Sequence, residues 1–238
     1  MLAALGFLTP FGPARSPSSA SLRWFPLVGG AVGATVGLVW WAASKGWHGQ
    51  LVPAALAVAA DLVLTGMLHV DGLADSADGL LPHLSRDRRL QVMSEPDVGA
   101  FGVAATAGVL LLRFAAFDTL RPDIALVVGT WCVSRSLIVI AMLALPYART
   151  SGGLATAFLG DSRVRTAVAA SAGIVAGTLV AVWAAGPAAA AGLGAGACAA
   201  AATFWLAHRR LGGFTGDVLG AAVVLSETAA LVVSGAHW

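Results

Sequence analysis

Apolar residues run along this chain in long blocks separated by short polar stretches. A helix that crosses a bilayer needs roughly 20 mostly apolar residues to cover about 30 Å of hydrocarbon. Seven blocks approach that length: 25–47, 51–68, 98–117, 124–145, 164–185, 188–207 and 218–234. The pattern predicts an all-α, polytopic membrane helical bundle of about seven transmembrane helices, forming one integral membrane domain over 1–238. The sixth block is the least hydrophobic, being rich in Ala and Gly, and Pro187 marks the turn before it. Residues 1–24 read as an interfacial segment: Met1 to Leu8 is apolar but short, lacks a basic start and runs into Pro10 and Pro13. It suits a helix lying on the bilayer better than a cleavable signal peptide.

Composition strengthens the membrane assignment. Of 238 residues 58% are hydrophobic and only 11% charged, where soluble domains carry about 25% charged residues. The 29 glycines suit close helix approach in a bundle, and Trp24, Trp40, Trp41 and Trp47 lie toward the ends of the first block, where an aromatic belt sits. Cys132 and Cys198 lie inside apolar blocks and form no Cys-x-x-Cys pair, which leaves packing as their role. The formal charge of +2 points to no nucleic-acid partner.

The arginines give the orientation. Arg15, Arg23, Arg86, Arg88, Arg89, Arg149, Arg163, Arg165, Arg209 and Arg210 fall in the N-terminal segment and the even loops, against Lys45 and Arg121 in the odd loops. By the positive-inside rule the N-terminus and the even loops are cytoplasmic, and with seven spans the C-terminus near Trp238 is outside. The even loops also hold nearly all the polar chemistry. A single loaded face predicts a membrane enzyme working at the cytoplasmic boundary.

The densest polar feature opens 68–97, read as a cytoplasmic acidic-motif loop. His69-Val70-Asp71-Gly72-Leu73-Ala74-Asp75-Ser76-Ala77-Asp78-Gly79 spaces three carboxylates by four and three residues. At about 100° per residue on a helix, Asp71, Asp75 and Asp78 share one face. Three like charges so close need a compensating cation, and Mg²⁺, which takes carboxylate, water and phosphate oxygens, is the natural one. The plainer alternative is a solvated loop or a set of helix caps.

Other candidates stand around it. Arg86, Arg88 and Arg89 are either topology determinants or forks that clamp phosphate oxygens. The glycine-rich turn Gly212-Gly213-Phe214-Thr215-Gly216-Asp217 leads into the last block and suits an anion, with Asp217 as a further metal or phosphate-site residue or a plain cap. Arg113, Arg135, Asp61 and Glu227 lie within predicted spans, where a lone charge costs roughly 2.5–3.5 kcal/mol. Arg135 is expected to point into the site, because its span leads on to Tyr147 and Arg149, and Arg113 to snorkel at the far interface. Asp61 and Glu227 are left open between pairing and function. His48, His69, His83, His208 and His237 show no metal-ligand spacing, though His69, two residues before Asp71, is a substrate-contact candidate.

Leu68-His69-Val70-Asp71-Gly72-Leu73-Ala74-Asp75-Ser76-Ala77-Asp78-Gly79-Leu80 resembles the signature of the cobalamin synthase (adenosylcobinamide-GDP ribazoletransferase) family. The likeness continues, in order, through Phe25-Pro26-Leu27-Val28-Gly29, Arg86-Asp87-Arg88-Arg89-Leu90, Val98-Gly99-Ala100-Phe101-Gly102, Tyr147-Ala148-Arg149 and Gly212 to Asp217. Two departures are visible: Pro10 stands where the family pattern has arginine, and Glu95-Pro96 replaces Asp-Ser. The resemblance implies an enzyme of the cytoplasmic (inner) membrane that joins adenosylcobinamide-GDP to α-ribazole or its 5′-phosphate and releases GMP, with Mg²⁺. In that reaction Asp71, Asp75 and Asp78 would hold the metal, and Asp78 is the candidate proton acceptor. Arg149 and an arginine of the acidic loop would neutralise the departing GMP. The lipid bilayer is the other expected partner, and a homo-oligomer stays open.

Three rival readings remain. CDP-alcohol phosphotransferases also present aspartates at a membrane boundary, but their pattern continues Ala-Arg after the first Asp-Gly, where this chain has Leu73-Ala74. Intramembrane prenyltransferases use two separated Asp-rich motifs. A cation or cobinamide transporter predicts polar groups along several spans and an inverted repeat, and neither is evident in the sequence.

Overall fold

The computed structural model describes residues 1–11, 18–149 and 163–236. Arg15, the stretch 150–153 that follows Arg149, His237 and Trp238 lie outside the described residues. The described chain is all-helical apart from one isolated bridge, Tyr147 to Phe214. In order it forms α1 (Leu2–Leu8), a 3₁₀ turn (Ser19–Trp24), α2 (Phe25–Gly46), α3 (Leu51–Thr65), α4 (Leu68–Leu80), α5 (Arg86–Val92), α6 (Ala100–Thr119), α7 (Ile124–Ala144), α8 (Arg163–Leu211) and α9 (Gly216–Ser234). Local chemistry sets several of these boundaries. Pro26 sits in the first turn of α2, where no amide is needed. Asp123 caps α7 by accepting from the Ala125 and Leu126 amides, Ser85 caps α5, and Thr215 caps α9.

Five of these stretches are long and apolar enough to cross a membrane, and the pair α3–α4 makes a sixth only if its two halves count together. The expected second span therefore changes shape. Gly66 and Met67 both take left-handed φ, 58° and 61°, and the chain turns by 88° between α3 and α4. Residues 68–97 are consequently not one loop: α4 and α5 occupy most of the stretch, and α4 sets off at a right angle from the end of α3. The expected fifth and sixth spans form one 49-residue helical run that folds back at Gly186 (φ 63°, ψ −146°), next to Pro187.

That hairpin wraps the centre of the bundle. In its first half Gly177 meets α7 so closely that a Cβ at Gly129 would lie 2.4 Å from the Gly177 carbonyl oxygen. In its second half Gly192 stands as closely against α9, 2.4 Å from the Ala230 carbonyl oxygen by the same measure. Contacts this tight between backbones stand in for the hydrophobic drive that helix association lacks in lipid.

The charges within the spans pair with one another. Arg113 of α6 binds Asp61 of α3, donates to Glu227 of α9 at 3.1 Å and to the Val224 carbonyl at 2.9 Å, and is 1% exposed. Arg135 of α7 binds the other oxygen of Glu227, which also accepts from Ser134 at 2.8 Å. Trp131 Nε1 donates to Asp61 at 2.9 Å. Two arginines thus face two carboxylates, tying four helices together. Arg113 does not snorkel to an interface, because its partners come from α3 and α9 inside the bundle.

Candidate active site

The site is built on α4. Asp71 is exposed and Asp75 half-buried, whereas the helix is buried from Gly72 to Leu80 apart from Asp75. It can be packed so deeply because Gly72 lies directly on the start of α9, where a Cβ would stand 2.7 Å from the Asp217 carbonyl oxygen. This contact brings Asp217 beside the α4 carboxylates, as the electrostatics register. The Asp75 carboxyl is pushed up to about 7, first by burial and then by the charges of Asp217, Asp71 and Asp78, with Arg149 pulling the other way. Three other carboxylates are thus close enough to disfavour charge on Asp75.

Arg149 completes the recess. The segment before it pairs with the glycine-rich turn: Phe214 donates to the Pro146 carbonyl at 3.0 Å and Ala148 donates to the Phe214 carbonyl at 2.8 Å. A Cβ at Gly213 would lie 2.1 Å from the Pro146 oxygen, so only glycine permits this pairing. Arg149 Nη2 then reaches Asp217 Oδ2 at 3.2 Å and the Met93 carbonyl at 3.3 Å. The hydroxyl of Thr215 donates to the same Asp217 oxygen at 3.1 Å and, as acceptor, caps α9. Asp217 is thus both held in place and half-neutralised.

The third aspartate of the motif does different work. Asp78 is buried, its Oδ2 accepts from Gly99 N–H at 2.7 Å and its Oδ1 from Gly102 N–H at 2.9 Å. Both oxygens are engaged at the N-terminus of α6, where a carboxylate is favoured by the free amides and the helix dipole. The capping alternative therefore describes Asp78, while Asp71 and Asp75 face the recess with Asp217.

The remaining candidates divide. Arg86 donates to the Leu211 carbonyl at 2.8 Å and the Ala148 carbonyl at 2.7 Å, latching α5 to the loops on either side. Arg88 pairs with Glu95 at 2.7 Å on the surface. Arg135 does not point into the recess, because Glu227 holds it within the bundle. His69 is buried, lies against Gly220 of α9, and its Nδ1 meets no hydrogen-bond partner among the described residues. Arg89 and Arg210 do more than mark topology. Both donate to the Leu80 carbonyl, closing the C-terminal end of α4. For Arg89, its position shortly after the acidic helix is the signal in the sequence; Arg210 carries none.

Among the described residues no three His, Cys, Asp or Glu side chains converge on one point. Mg²⁺ does not require three, since one or two carboxylates, water and substrate phosphate oxygens complete its shell. One or two carboxylates of Asp71, Asp75 and Asp217, which repel one another and are only partly offset by Arg149, suit such an ion. A recess with these groups is suited to a cation together with a polyphosphate.

The comparisons with known proteins point to one family. A family model described as cobalamin-5-phosphate synthase matches residues 1–235. The adenosylcobinamide-GDP ribazoletransferase of Chlorobaculum tepidum is 37% identical over 229 residues, covering 92% of this chain and 89% of the relative. The protein of the same name from Leptothrix cholodnii is 39% identical over 221 residues, covering 89% and 83%. That from Chlorobium phaeovibrioides is 35% identical over 242 residues, covering 99% and 96%. No solved structure matches the chain. A multi-pass helical membrane protein with this motif and these relatives is a transferase of cobalamin synthesis, and the chain belongs to the cobalamin-5-phosphate synthase family.

Proposed function

We propose that the chain joins adenosylcobinamide-GDP to α-ribazole or its 5′-phosphate and releases GMP. A ribose hydroxyl oxygen forms a bond to the phosphorus on the cobinamide side of the diphosphate, and the bond from that phosphorus to the oxygen of GMP breaks. The hydroxyl proton passes to a carboxylate. The observation that supports this reading most is the Asp71–Asp75–Asp217 recess with Arg149 at its edge.

Asp217 and one of Asp71 and Asp75 would hold Mg²⁺, which when bound supplies positive charge to the diphosphate oxygens. Phosphoryl transfer asks chiefly for positioning and charge stabilisation, and this chain provides both. Arg149 is placed to bind the leaving phosphate, since its guanidinium already sits against Asp217 and the Met93 carbonyl. Among the α4 carboxylates, the proton acceptor is the one left free of metal. Asp78 is not that group, because the Gly99 and Gly102 amides occupy it. The Tyr147–Phe214 pairing and the Gly72 contact keep Arg149, Asp217 and α4 in register, which is where the catalytic geometry originates.

The recess is proposed to face the cytoplasm from the inner membrane. In support, Arg86, Arg149 and Arg210 all gather at the end of the bundle that carries it. The test incubates the purified protein in detergent with adenosylcobinamide-GDP, α-ribazole and Mg²⁺, and follows GMP and the joined product by mass spectrometry. Equimolar GMP and product are expected. Release of CMP from CDP-diacylglycerol instead, with no reaction of the cobinamide pair, would overturn the assignment.

A further inference from the structure

On the side of α4 turned away from Asp71 lies an apolar cavity of about 200 Å³, open at one side. Leu73 and Ser76 of α4 close it toward the recess, and Val109 of α6, Leu206 of α8 and Leu225 of α9 form its walls. These three wall residues are only partly buried, so the opening gives onto the hydrocarbon around the bundle. Ser76 is 4% exposed, and its Oγ meets no hydrogen-bond partner among the described residues. An unpaired hydroxyl in an apolar wall is costly unless something supplies the missing partner.

The depth of the cavity follows from α8. Trp205 is 60% exposed, and the Arg209 guanidinium carbon lies 5.0 Å from its ring centre, a pairing suited to the headgroup boundary. Leu206 is the next residue, so the cavity begins at that boundary and descends to Val109 and Leu225, near the middle of α6 and α9. Arg210 stands one turn beyond Leu206 on the same face of α8, about 6 Å along the axis. It donates to the Leu81 carbonyl at 3.2 Å, and Leu81 also lines the cavity. Arg89 and Arg210 meet at the Leu80 carbonyl, and neither pairs with a carboxylate among the described residues. The cavity therefore ends beneath two guanidiniums that have no acidic partner.

We propose that the cavity takes up one acyl chain of an anionic phospholipid from the leaflet beside the recess, with the chain's ester carbonyl accepting from Ser76 Oγ and the phosphate resting on Arg210. An apolar cavity of about 150 Å³ takes up benzene, so this one has room for several methylene groups of a single chain. The second chain stays in the bilayer. Phosphate, ester and chain follow one another in the lipid as Arg210, Ser76 and the apolar walls do in the bundle. A second copy of the protein would cover the rim and leave Ser76 without an acceptor. The bound lipid ties α4 to α6, α8 and α9, and so supports from beneath the helix that carries Asp71 and Asp75.

The test titrates the full chain in detergent with dioleoyl phosphatidylglycerol, its ether-linked analogue and dioleoylglycerol, and counts bound lipid by native mass spectrometry. The wild type is expected to retain one phosphatidylglycerol. Val109→Trp fills the cavity and should bind it at least about tenfold more weakly, with Ala105→Phe in its place if that protein does not fold. The ether-linked lipid lacks the carbonyl, so it should bind the wild type several-fold more weakly and Ser76→Ala as well as the ester lipid does. Dioleoylglycerol lacks the phosphate and should bind about tenfold more weakly than phosphatidylglycerol. No lipid on the wild type, or equal binding by the wild type and the filling variant, would overturn the proposal. So would ester and ether lipids held equally by the wild type, or phosphatidylglycerol and dioleoylglycerol held equally. A lipid-free wild-type dimer that Val109→Trp dissociates would overturn it in favour of a second copy.

Discussion

The backbone of Asp217 rests on Gly72, and no room exists between them for even one carbon: a Cβ at residue 72 would come within 2.7 Å of the Asp217 carbonyl oxygen. The neighbour there is backbone, so it cannot swing aside. Gly72→Ala must separate α4 from α9, at about 1–3 kcal/mol for overpacking. The helix content of the purified variant should survive, while the recess widens. GMP formation is expected to fall about tenfold or more, measured beside circular dichroism on the same sample.

Asp75 and Asp78 are three residues apart and should respond oppositely to loss of charge. Asp78→Ala leaves the Gly99 and Gly102 amides without their charged acceptor, and hydrogen bonds to charged groups are worth about 1.5–3 kcal/mol each. Asp75→Asn removes a like charge from a crowded recess and engages no such amides. Thermal unfolding in detergent should therefore show a clear drop in Tm for Asp78→Ala and no drop for Asp75→Asn. Equal losses would contradict the division of labour.

The same crowding makes stability depend on pH in the absence of divalent ions. Asp75 is raised from its ordinary range to about 7, so the folded protein holds that proton where the unfolded chain has released it. The contribution is complete below the unfolded value near 3.8 and is lost progressively as pH rises toward about 7. With EDTA present, wild type should lose Tm relative to Asp75→Asn across that window. Added Mg²⁺ should narrow the gap at the upper end, since it favours the ionised carboxylate.

Glu227 holds two arginines at once. Glu227→Gln leaves Arg135 without its anion and Arg113 with Asp61 alone, deep in the bundle. Breaking one side of a buried ion pair costs about 3–5 kcal/mol. The variant should insert in lower yield and unfold earlier. An unchanged Tm would show that these charges do not bind α3, α6, α7 and α9 together.

Much of this is legible in the sequence, for physical reasons that differ between elements. Long apolar blocks leave helices as the available form in lipid, so the bundle follows from composition and block length. The spacing of Asp71, Asp75 and Asp78 marks an acidic helical face, and Asp217 is recognisable at the head of α9. What one-dimensional spacing does not carry is the partner. Asp78 caps amides 21 and 24 residues downstream, and Arg135 meets a carboxylate 92 residues away. Arg86 likewise binds a carbonyl that belongs to the end of α8. The bend after α3 is hidden for another reason: Met67 is an unusual residue to adopt φ 61°, and only the packing of α4 makes that conformation worthwhile.

The proposed chemistry depends on the carboxylates beside Arg149. The most direct measurement is GMP released from adenosylcobinamide-GDP and α-ribazole by Asp75→Asn, at saturating Mg²⁺ and with folding verified. A fall in turnover of about 10²–10³-fold with a wild-type Tm is predicted. Turnover within about twofold of wild type would contradict it.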